Sequence, residues 1–133
     1  MGADDQKPGD LLDLTTLETL ALLGERRGKD LLGQLFGLFQ DQGPKSFASL
    51  RSAVAAGSSA EVKSVAHSLK GSYRSLGTPR LAEISLRLEE KGTNGDLDGA
   101  GELVDDLEQC FLDTTRALQG FLESKTSTPD GTG

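Results

Sequence analysis

Tryptophan is absent from this 133-residue chain, and tyrosine, cysteine, methionine and histidine occur once each. With aromatics at only 5%, a core must be built from Leu, Val, Ala and a few Phe, which suits helices packed side by side. A single cysteine, Cys110, excludes an internal disulfide and fits a reducing cytoplasm. One histidine and one cysteine do not suffice for a zinc site. No apolar run approaches the roughly 20 residues that cross a bilayer. The opening MGADDQKPGD is too acidic for a signal peptide, and Gln6 breaks the myristoylation pattern. A net charge of −7 argues against nucleic acid, which needs a basic footprint. These absences describe a cytoplasmic protein of one domain's size.

Residues 1–9 and 125–133 are short, polar and rich in Gly, Pro, Ser or Thr, and read as flexible ends of a domain spanning 10–124. Between them the apolar spacing is helical, and no stretch alternates with period two. Thr15-Thr-Leu-Glu18 has the form of a capping box opening a short helix that stops at Gly24. A long helical pattern from about Lys29 to Ala56 carries Leu32, Leu35, Phe36, Phe39, Phe47, Leu50 and Val54 inward. Gly43-Pro44 inside it predicts a kink or two helices in line. Ser58-Ser-Ala-Glu61 opens the next helix, and Gly77 closes it in the left-handed conformation that glycine enters cheaply. Thr78 and Pro79 form an N-cap and N1 pair for a helix carrying Leu81, Ile84 and Leu88 and stopping at Gly92. The last helix, from about Leu97 to Ser124, turns Val104, Leu107, Phe111, Leu118 and Phe121 inward. The pattern predicts an all-α fold, an antiparallel up-and-down four-helix bundle preceded by a short helix.

The lone histidine stands in AHSLKGSYRSLG, residues 66–77. With His67 at 0° on a helical wheel, Val65, Leu76, Leu69, Val62, Tyr73 and Ala66 fill an arc from about 160° to 260°. His67 therefore faces solvent. Lys63, Lys70 and Arg74 lie within about 60° of it on one stripe. The ordinary reading of such a stripe is a solvated charged face. Yet the only acid of this helix, Glu61, sits at about 120°, so the helix offers no balancing charge. An all-cationic surround would push the imidazole below its reference pKa of about 6.5 and leave a neutral, nucleophilic ring. Gly71 costs about 1 kcal/mol relative to Ala inside a helix. It lies beside His67 and away from the core arc, where it opens room for a partner.

AHSLKGSYRSLG resembles the signature of histidine-phosphotransfer (HPt) domains, A-H-x-L-K-G-x-x-x-x-L-G. LLDLTTLETL resembles that family's entry helix, LAEISLRLEE the helix after the motif, and GDLDGAGELVDDLE the start of its last helix. The resemblance implies that His67 is phosphorylated and that Lys70 contacts the phosphoryl group. It implies also that Gly71 makes room for a receiver domain and that Gly77 is structural. Lys63, Ser64, Ser68 and Arg74 join Gly71 as expected partner-binding positions, Arg74 on the wheel alone. The implied role is a monomeric phosphorelay shuttle between receiver-domain aspartates. Its partners would be response-regulator receivers or a hybrid sensor histidine kinase, and Mg²⁺ would come from the receiver. Neither a Walker A sequence nor a glycine-rich nucleotide loop is present, so autophosphorylation from ATP is not expected.

Four rival readings weigh less. Sensor-kinase dimerisation helices carry an acid and a proline where Ser68 and Ser72 stand here. A fragment of a chemotaxis-type kinase would share the bundle without its catalytic domains, and a non-catalytic bundle could dock a receiver with phosphorylation incidental. Asn94 to Asp105 approximates an EF-hand loop but departs at its first, eighth and twelfth positions, so capping by Asp96 or Asp98 explains the acids better. Cys110 reads as a small core filler.

Overall fold

The computed structural model describes residues 10–126, and among them the chain forms five helices and no strand. They are α1 (Leu14–Arg26), α2 (Leu31–Ala56), α3 (Ser59–Leu76), α4 (Pro79–Asn94) and α5 (Ala100–Thr126). The short links make successive long helices antiparallel. Helices α2 to α5 each pack against the next, and α5 returns to α2, closing a four-helix ring. Helix α1 lies against α2 and the end of α3. No helix among the described residues is long and apolar enough to cross a membrane.

Local signals explain most of the helix ends. Ser58 Oγ accepts the Glu61 N–H at 3.3 Å, and Gly57 and Gly77 take left-handed φ values of 69° and 81° after α2 and α3. Other ends differ from the sequence reading. Asp13, not Thr15, caps α1: its Oδ1 accepts the Thr16 N–H and its Oδ2 the Thr16 hydroxyl. The helix then continues past Gly24 to Arg26. Helix α2 is one 26-residue element running through Pro44. Pro44 and Gln40, whose carbonyl loses its N–H partner, are both exposed, so water can serve that oxygen. Gly92 does not end α4, which runs to Asn94 and closes on Gly95. Asp96 Oδ1 accepts the Asp98 N–H at 3.1 Å in the turn before α5, which begins at Ala100.

The expected end at 124 also moves. Helix α5 runs on to Thr126, and Lys125 in its last turn pairs its Nζ with Glu18 Oε1 of α1 at 2.6 Å. The rest of the two expected flexible ends lies outside the described residues.

The scarce aromatics are concentrated. Phe39 stacks on Phe111 at 4.7 Å, with Phe47 and Tyr73 edge-on and Phe36 alongside. A Cβ on the buried Gly43 would collide with the Phe111 ring, so this glycine lets α5 approach α2. Leu32, Leu50, Val62, Leu69, Leu81, Leu88, Val104, Leu107 and Leu118 complete the core around this cluster, whereas Leu35, Phe36, Val54, Ile84 and Phe121 are only half-buried. Burial raises the Tyr73 hydroxyl well above its ordinary value, keeping it neutral. Cys110 is buried beside Thr114, with Sγ 3.7 Å from its hydroxyl, and is a core residue.

Candidate functional site

Helix α3 holds its apolar arc in the core as the wheel requires: Val62, Ala66, Leu69, Tyr73 and Leu76 are buried, and Val65 half-buried. The opposite face is open. The His67 side chain is 69% exposed, and Lys63, Ser64, Ser68, Gly71 and Arg74 are exposed around it on the same helix. A Cβ placed on Gly71 would meet no atom within 4 Å, so the space beside the imidazole is clear. Gly77 is buried at the end of α3, where its carbonyl accepts the Asp13 N–H at 2.8 Å and ties in the start of α1.

The expectation of an all-cationic surround is corrected by the neighbouring helix. Glu89 of α4 places Oε2 at 2.8 Å from His67 Nδ1 and Oε1 at 2.6 Å from Lys70 Nζ. Lys70 is not a free surface cation: it and Glu89 are both tucked in, at 16% and 15% exposure. A carboxylate only accepts hydrogen bonds, so the ring nitrogen facing it is the protonated one. The neutral ring then carries its lone pair on Nε2, the nitrogen not held by Glu89. Lys70, and after it His67, hold the Glu89 carboxyl below the usual carboxylate range, against a partial burial that disfavours charge.

Close helix packing makes this contact possible. On the wheel of α4, Glu89 lies within about 60° of Ser85 and Gly92, both small and buried. A Cβ on Gly92 would come within 2.7 Å of the Lys63 nitrogen and the Ser59 carbonyl oxygen. Ser85 turns its hydroxyl back to the Leu81 carbonyl and leaves that surface small. Sequence reading passed over Glu89. Its only signal was an acid on the small-residue edge of the apolar face of α4, and the helix facing that edge is not written in the sequence.

A groove of about 680 Å³ runs from Ser68, Gly71 and Ser72 of α3 to Leu35, Leu38 and Phe39 of α2. It is apolar, and Leu38 stands 59% exposed on α2. The site thus joins an exposed imidazole, a cation, an acid and an open flank. Among the described residues, no group of three or more His, Cys, Asp or Glu side chains is placed to hold a metal ion.

The Hpt domain family model matches residues 34–119, from the first turn of α2 deep into α5. No curated protein matches the chain. Among solved structures, the chain is similar to histidine-containing phosphotransfer protein B (HptB) from Pseudomonas aeruginosa PAO1. The two are 27% identical with a TM-score of 0.75, and the likeness covers 82% of this chain and 91% of that one. A match that takes in all of α3 and α4, on a bundle that turns one histidine to solvent, places this chain in the Hpt domain family.

Proposed function

We propose that the protein carries a phosphoryl group on His67 Nε2 between the aspartates of receiver domains in a phosphorelay. The observation that carries this reading is the held imidazole: Nδ1 is engaged by Glu89 while the ring stands 69% exposed. In the forward step the Nε2 lone pair forms the N–P bond. The P–O bond to the receiver aspartate breaks, and its electron pair leaves on that carboxylate. Such transfer depends on positioning and charge stabilisation more than on covalent chemistry by the protein. Lys70, three residues along the helix, supplies a cation for a phosphoryl oxygen. Lys63 and Arg74 present positive charge to the acidic pocket of the receiver, and that pocket brings the Mg²⁺. Ser64, Ser68 and Gly71 form the surface on which the receiver rests. The protein works as a monomer in the cytoplasm.

The test is direct. The protein is mixed with a panel of radiolabelled phospho-receivers and Mg²⁺, and the label on it is tested for acid lability and alkali stability. Label with that profile is expected on the native protein and none on His67→Gln. Label retained by His67→Gln, or no label from any receiver, overturns the proposal.

A further inference from the structure

Glu89 has a consequence beyond holding the ring. We propose that Glu89 is the counter-charge of the phosphorylated imidazole, and that it thereby sets how far phosphoryl exchange with a receiver runs toward His67. The inference rests on the reading of His67 as phosphoacceptor.

The charge balance of the transfer leads to it. Nδ1 keeps its proton, which Glu89 Oε2 accepts at 2.8 Å, so the ring emerges from the step as a cation. The phosphoryl group on Nε2 brings its own negative charge. Before transfer, the Glu89 carboxylate is shared between a neutral ring and the Lys70 ammonium at 2.6 Å. After transfer there are two cations and two anionic groups. Lys70, on a flexible stem, can turn to a phosphoryl oxygen, and Glu89 then faces a charged ring. Before transfer the bond joins a neutral donor to a carboxylate; after it both partners are charged, and their Coulombic attraction is added to the hydrogen bond. The ion pair of the product is therefore worth more than the hydrogen bond of the reactant, and the difference favours phosphohistidine over aspartyl phosphate.

The position of Glu89 supports a specific role. It is on another helix, its two oxygens contact two different groups of the site, and at 15% exposure it is less screened than a surface acid. A neutral amide of the same shape would keep the hydrogen bond to Nδ1–H and lose the charge.

Glu89→Gln separates these functions, but it also frees Lys70 to bind the phosphoryl group. The comparison is therefore made in a Lys70→Met background. Each variant is brought to equilibrium with one phospho-receiver and Mg²⁺, and the ratio of phosphohistidine to aspartyl phosphate is read from the label. Adding Glu89→Gln to Lys70→Met should lower that ratio about tenfold. Nitrogen NMR of His67 in the resting protein should still show the proton on Nδ1. In the presence of Lys70, Glu89→Asp, which keeps the charge, should stay within about threefold of the native ratio. A ratio unchanged by Glu89→Gln while the Nδ1 proton is retained overturns the inference. So does an Asp variant as impaired as the Gln variant. If the Gln variant does not fold, the Asp variant and NMR of the native phosphoprotein decide, and a neutral ring there overturns it. Failure of the native protein to take any label counts instead against His67 as phosphoacceptor.

Discussion

Gly71 and Gly92 are both interior helix glycines on adjoining helices, and each costs its helix about 1 kcal/mol relative to alanine. Their surroundings are opposite. Around Gly71 a Cβ would meet nothing within 4 Å, whereas at Gly92 it would strike the backbone of Ser59 and Lys63. One glycine keeps the outer flank of His67 clear. The other lets α4 sit close enough to α3 for Glu89 to reach the ring. The same local defect thus leaves open space beside the histidine in one place and brings two helices together in the other, and a propensity scale cannot distinguish them.

Substitution can break this contrast. The largest effect is expected for Gly92→Val, where the new side chain must push α4 off α3. Overpacking of this kind costs about 2–3 kcal/mol, visible as a lower urea midpoint, and it should also weaken the His67–Glu89 contact. A Gly92→Val protein of native stability would show that the two helices have slack. Gly71→Leu should leave the fold at least as stable as before, since Leu is a better helix former than Gly, and slow transfer from a phospho-receiver at least tenfold, equivalent to about 1.4 kcal/mol. Normal receiver binding by that variant would remove the role assigned to the cleared flank. Gly71→Ala should raise stability by about 0.5–1 kcal/mol through helix propensity alone, with transfer little changed.

The smallest effect is a pH dependence that sharpens the role of Glu89. Its folded carboxyl lies below the usual range because of Lys70 and then His67. Its contribution to stability is therefore complete above the unfolded value of about 4.3, and is lost as pH falls through the lowered folded value. The stability difference between native protein and Glu89→Gln, under about 1 kcal/mol at neutral pH, should shrink in that acid window. A difference that grew within that window, where the carboxylate itself takes up its proton, would contradict the pairing.

Legibility from sequence followed the range of the interactions involved. Ser58 and Gly77 were readable because a cap and a left-handed terminator are decided within four residues. The short helix was misread at Thr15 because Asp13 offers a better acceptor to the same turn. Gly92 was misread as a stop because glycine commonly is one, and only the facing backbone of α3 gives it another use. His67 was placed correctly outside the core, yet its electrostatic setting was not, since the wheel of α3 includes no residue of α4.

By itself, the sequence determined which segments are helical, which face of α3 enters the core, and that His67, Lys70 and Gly71 share the other face. Those properties follow from a 3.6-residue period and from side chains that act on their own turn. Only the tertiary structure decided that Lys70 is paired, that Glu89 is the partner of the histidine, and that Gly92 is a contact. The rotation and register of one helix against another depend on the packing of the whole bundle, to which many distant residues contribute a little each.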